Sequence, residues 1–143
     1  MKLWKQEFTL EGLNQISQNT LVSNLGIQFT AFDDQSLVAE MPVDARTIQP
    51  MGLLHGGASV SLAETLGSVA SLLCLEDTEK NAVVGLEINA NHLKAVTKGK
   101  VTGTCRPIRI GSQVHVWEID IRDEQGNRTC VSRLTIAVIT NRK

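Results

Sequence analysis

The sequence predicts an α+β fold in which a curved antiparallel sheet wraps around one long central helix. Three observations carry this. The stretch Gly57 to Cys74 is apolar or small on nearly every side (Ala58, Val60, Leu62, Ala63, Leu66, Gly67, Val69, Ala70), which marks a buried helix and not a surface one. Six strand-like runs flank it, and short turn segments between them favour antiparallel pairing, because parallel pairs need long crossovers. No second long helix is present to cover the sheet, so the sheet must curl around this one.

Taken in order, the elements begin with a short helix over Thr9 to Asn19, with Thr9 as its N-cap. LGIQFTAF and SLVAEMPV then flank DDQS and alternate as two strands joined by a turn. DARTIQPMG, with its proline and glycine, reads as an ordered loop that leads into the long helix. After EDTEKN come AVVGLEINAN, GKVTGTCRPI, QVHVWEIDIR and RTCVSRLTIAVIT, with DEQGN as a hairpin turn between the last two.

At 143 residues, without repeats or a linker, the chain reads as one domain over 1–143. With 42% hydrophobic and 20% charged residues, it falls outside the disordered and fibrous classes. The opening MKLWKQEFTLEG has no apolar run, so no signal peptide is expected, and no segment approaches a membrane span. Cys74, Cys105 and Cys130 are odd in number and lack CxxC spacing. They read as reduced core residues of a cytoplasmic protein.

Net charge is −1, yet no acidic residue falls between Glu87 and Glu118. That interval carries Lys94, Lys98, Lys100, Arg106 and Arg109. Strand-rich segments are poor in acids, and an anion-binding surface has the same signature. Aromatic residues make up 3% of the chain and offer no stacking platform for nucleic acid.

The chemistry concentrates in LLHGGASVSLAETLGS, Leu53 to Ser68. At 100° per residue, Ser61, Glu64, Ser68 and Ser71 form one narrow polar stripe on an apolar cylinder. An exposed face would carry several long charged side chains; this one carries a single carboxylate that a serine at i+4 can hold. A desolvated acid suits a general base or a nucleophile. His55-Gly56-Gly57 opens the same helix, where free N–H groups and the helix dipole favour an anion or a developing oxyanion. HGG alone would be no more than a tight turn. Glu64 lies seven residues past Gly57, about 10 Å along the axis, so one helix cannot bring both groups to one reacting carbon. Two copies with antiparallel helices can, and the expected active unit is at least a dimer. The three histidines lack metal-ligand spacing, and no nucleophile elbow, phosphate loop or dinucleotide fingerprint occurs.

PVDARTIQPMGLLHGGASVSLAETLGSVAS, VVGLEINANHLKAV and RPIRIGS together resemble the hotdog-fold acyl-CoA thioesterases, and the likeness runs from LWKQEFTLEGLN to the final strand. The resemblance implies hydrolysis of an aromatic acyl-CoA, with the branch of menaquinone synthesis nearer than the branch that proofreads carrier-bound thioesters in enterobactin synthesis. It implies that Glu64 is the catalytic carboxylate, as nucleophile or as base on water. It also implies that the Gly56 N–H polarises the thioester carbonyl, with His55 and Gln49 close by and Ser68 beside the carboxylate. Gly85, the run His92-Leu93-Lys94-Ala95 and the run Arg109-Ile110-Gly111-Ser112-Gln113-Val114 match segments that contact substrate, largely its CoA part. No cofactor is implied, CoA being part of the substrate, and no metal. Dimers and commonly tetramers are implied. Met51 after QP and Lys94 after HL are conservative departures. Rival readings are a hydroxyacyl dehydratase on the same fold and a non-catalytic acyl-CoA-binding module, which would leave Glu64 idle.

Overall fold

The computed structural model describes residues 2–142. Its elements are α1 (Leu10–Ile16), α2 (Leu21–Asn24), β1 (Gln28–Phe32), β2 (Leu37–Pro42), α3 (Gly56–Leu73), β3 (Asn81–His92), β4 (Lys100–Ile110), β5 (Val114–Arg122) and β6 (Arg128–Thr140). All six strands form one antiparallel sheet in the order β1-β2-β4-β5-β6-β3. The sheet packs around α3, as the apolar circumference of that helix requires.

Alternation along β5 sends His115, Trp117, Ile119 and Ile121 inward, and the last three share one apolar core with Leu62, Leu66 and Leu134. Small residues let helix and sheet approach closely. A methyl at Gly103 would lie 2.8 Å from Leu66 Cδ1, and one at Gly67 would collide with Leu134. The three cysteines are free and buried, as expected, and burial pushes the Cys74 thiol up to about 12.

The opening segment departs from its expected single helix. Thr9 caps α1 and its hydroxyl accepts from the Gly12 N–H, but the helix ends at Ile16. Asn19 takes a left-handed φ of 60°, which asparagine tolerates, and Thr20 then caps the separate helix α2. That second helix, with Gly26 at φ 72°, delays β1 to Gln28. The long helix begins one residue earlier than expected, because His55 is its N-cap.

The hairpin at DEQGN forms as expected. Asp123 accepts from the Gln125 and Asn127 N–H groups, and Gly126 adopts φ 80°. In contrast, β3 does not pair with β4, the next strand in sequence, but with β6 at the far side of the sheet. Residues 93–99 bridge three strand spacings, about 14 Å, which seven extended residues span easily. Among the described residues the outer edge of β3 has no neighbouring strand, and Val84 and Leu86 of that strand are exposed.

Candidate active site

The loop before α3 is built to present N–H donors. The Gln49 N–H donates to the Leu53 carbonyl and the Gly52 N–H to the Gln49 carbonyl, closing a tight turn with Gly52 at φ 80°. Within it the Gln49 side-chain oxygen accepts from the Met51 N–H. That bond orients the amide so its NH2 end remains to donate outward. At the helix start, His55 Nδ1 accepts from the Gly57 N–H at 2.8 Å, which assigns the ring proton to Nε2. One of the helix-start donors expected to be free is therefore taken. The Gly56 N–H has no acceptor among the described residues.

Gln49, Gly56, His92, Leu93, Lys94 and Ala95 line one cleft of about 390 Å³. The sequence reading missed its other walls, Leu53, Leu54, Ser59 and Thr129. Ser59 was legible in principle, one helical turn past His55 on the cleft side. Thr129 comes from β6 and becomes a neighbour only through the sheet, where its carbonyl accepts from the Leu93 N–H. The imidazole of His92 stands against the helix start: a methyl at Gly56 would lie 2.9 Å from its Nε2.

Glu64 does not line that cleft. It is half-buried on α3 against the edge strand, where its Oε1 approaches Gly85 at a bulge in β3. It makes no hydrogen bond or ion pair among the described residues, and burial raises its pKa above the ordinary carboxylate value. The polar stripe that helical spacing gives is not one continuous accessible face. Ser61 donates back to the Gly57 carbonyl, Ser68 forms no hydrogen bond with Glu64, and Ser71 is fully buried. Ser71 faces Trp117 and His115 because β5 crosses the helix there.

The basic interval is partly compensated. Lys94 pairs with Asp123 at 3.5 Å and Lys100 with Glu40 at 2.8 Å, both partners lying outside the acid-free stretch. Arg109 sits at the other end of β4, in a hollow of about 460 Å³ with Lys2, Lys5, Cys74, Ile108 and Ile110. Its side chain lies along Gly111 in the β4–β5 turn that continues through Ser112 and Gln113 to Val114. Within one chain, the His92–Ala95 run and the Arg109–Val114 run thus occupy opposite ends of the sheet, and the structure does not bring them together.

An antiparallel sheet curled around one long helix is the hotdog fold, and the relatives of this chain make it one of that fold's thioester hydrolases. The chain belongs to the thioesterase superfamily, whose family model matches residues 51–130. It is 53% identical over 137 residues to the 1,4-dihydroxy-2-naphthoyl-CoA hydrolase of Escherichia coli, covering 96% of this chain and 99% of that one. It is 55% identical to the proofreading thioesterase EntH of Cronobacter turicensis, covering 96% and 98%. The crystal structure of thioesterase HI1161 from Haemophilus influenzae superposes with a TM-score of 0.93 at 57% identity, covering 96% of this chain and 95% of that one.

Proposed function

We propose that this thioesterase hydrolyses an aromatic acyl-CoA, with 1,4-dihydroxy-2-naphthoyl-CoA of menaquinone synthesis as its substrate, in a site shared between two subunits. The observation that carries the reading is the half-buried Glu64 carboxylate, which has no hydrogen-bond or ion-pair partner among the described residues and stands at the sheet's β3 edge. Pairing of β3 with its copy across a two-fold axis would extend the sheet and cover Val84 and Leu86. It would also set the two α3 helices antiparallel. The start of one helix, with His92–Ala95, then meets Glu64 and the Arg109–Val114 turn of the other. Pairing of dimers into a tetramer, implied by the family resemblance, is part of the same proposal, as is a cytoplasmic location.

In this site the Gly56 N–H, with the helix dipole behind it, holds the thioester oxygen as negative charge develops. The Gln49 NH2 supplies a further donor from the same cleft, and His55, which does not line that cleft, fixes the helix start by accepting from the Gly57 N–H. Glu64 of the other subunit either attacks the carbonyl carbon or takes a proton from an attacking water. The C–S bond breaks, the thiolate leaves as CoA, and a proton returns to its sulfur. After direct attack, water then cleaves the anhydride between Glu64 and the acyl group, and by either route the carboxylic acid is released. Gly85 leaves room for the carboxylate, and Ser68 lies one helical turn on. Lys94 of one subunit and Arg109 of the other hold the CoA phosphates.

A second reading is supported by the 55% identity to EntH: the thioester is carried by a phosphopantetheinylated protein. Thiol release from 1,4-dihydroxy-2-naphthoyl-CoA, a panel of other acyl-CoAs and an aryl-loaded carrier protein separates the two. A higher kcat/KM on the carrier protein would replace the first reading with the second. Absence of thiol release from every thioester would remove both.

A further inference from the structure

The core beneath the β4–β5 turn contains a polar trio that thioester chemistry does not use. Ser71, His115 and Trp117 are 0%, 3% and 0% exposed. The Trp117 Nε1–H can only donate, and it reaches the Ser71 oxygen at 2.7 Å. The Ser71 hydroxyl lies 3.1 Å from His115 Nδ1 and has a proton free to donate to it. The Gly111 backbone lies near enough to the ring to favour its protonated form, against the effect of burial. His115 pairs with Ile110 in the β4–β5 ladder, one residue before that glycine. Burial lowers the pKa of the ring and keeps it neutral, as this bonding requires.

We propose that His115 is a positioning residue for substrate: Nδ1 accepts from Ser71, Nε2–H holds the Gly111 carbonyl, and the turn so fixed presents Arg109 to Val114 to the nucleotide end of acyl-CoA. This rests on the reading of that turn as a CoA contact. The geometry explains why a polar trio occupies a place that three apolar side chains would fill more simply. A fully satisfied buried network holds one arrangement, whereas apolar contacts alone tolerate several. It also links the turn to the helix that bears Glu64, since Ser71 lies two turns beyond Glu64 on nearly the same face. The other turn bonds are backbone ones, Gly111 N–H to the Val114 carbonyl and Val138 N–H to the Gln113 carbonyl. The link from the turn to the helix runs through His115.

The test compares benzoyl-CoA with benzoyl-pantetheine, which lacks the nucleotide, on wild type, H115N and H115Q. Asparagine reaches about as far as Nδ1 and keeps the Ser71 bond alone. Glutamine reaches about as far as Nε2 and keeps the Gly111 bond. H115N should raise KM for benzoyl-CoA by about five- to tenfold, the worth of one lost hydrogen bond, with kcat little changed and benzoyl-pantetheine unaffected. H115Q should recover most of that loss. Equal effects on both substrates, or an unchanged KM in H115N, overturn the inference. A wild type that handles both substrates alike overturns the placement of the nucleotide at this turn, and the inference with it. Should H115N fail to fold, H115L, of similar size and with neither bond, takes its place with the same expected split. NMR of 15N-labelled histidine in the wild type needs no variant: a neutral Nε2–H tautomer at pH 7 is expected, and an Nδ1–H tautomer overturns the inference.

Discussion

A methyl group added at Gly85 would lie 2.5 Å from Oε1 of Glu64, so the edge strand meets the carboxylate through the one position without a side chain. The contact falls at the bulge in β3, where the strand turns its backbone toward the helix. Gly85→Ala should therefore displace the carboxylate while the sheet remains intact. The expected result is a fall in kcat of at least tenfold, with circular dichroism unchanged. Wild-type kcat in that variant would show that the position of Glu64 is not critical.

Glu64→Gln keeps the shape of the side chain and removes its charge. Loss of a base or nucleophile should lower kcat by ~10² or more. Activity within a few-fold of wild type would remove Glu64 from the chemistry.

The raised pKa of Glu64 has two consequences with opposite signs. The ionised form does the work, so kcat/KM should fall as pH drops through a value above the ordinary carboxylate range. For stability, the folded state holds the proton more tightly than the unfolded chain. The burden of the buried charge is absent below the unfolded pKa and grows as pH rises through the folded one. Glu64→Gln should thus match wild type in Tm at pH 4 and equal or exceed it at pH 7. A variant less stable at pH 7 than at pH 4, relative to wild type, would mean that the carboxylate has a stabilising partner.

Lys94→Gln and Arg109→Gln should raise KM for acyl-CoA and flatten its dependence on salt, with kcat nearly kept, because the nucleotide is remote from the reacting carbon. Asp123 competes with phosphate for Lys94. The expected loss at Lys94 is accordingly smaller than at Arg109, for which no ion pair occurs among the described residues. Steady-state kinetics at two ionic strengths checks both. An unchanged KM in the two variants would make the acid-free interval a feature of strand composition alone.

A shared site predicts complementation. Glu64→Gln and a variant damaged at the helix start, Gly56→Val, should each be inactive. Mixed under subunit exchange, they form heterodimers with one site carrying both lesions and one carrying neither, so activity returns. Native mass spectrometry verifies the exchange. If exchange is complete and the mixture stays inactive, each site lies within one chain.

What the sequence by itself determined is whatever follows from periodicity and local chemistry. The apolar circumference of Gly57 to Cys74 required a buried helix, and that helix required a sheet curled around it. The lone Glu64 and the HGG doublet were legible because a carboxylate and two glycines are costly in such a helix unless they act. Tertiary structure alone decided which distant segments meet. Pairing of β3 with β6 carries Gly85 to Glu64 and Thr129 to the cleft, and no local pattern encodes that crossover. Ser71 looked like part of a catalytic stripe, because helical spacing gives the face but not what packs on it; the β5 crossing makes it a core hydroxyl bonded to Trp117 and His115. Lys94 looked unpaired because its partner, Asp123, lies 29 positions away and is brought near by a hairpin turn. Side-chain chemistry is local and can be read along the chain, whereas contacts between segments depend on strand order, which the fold supplies as a whole.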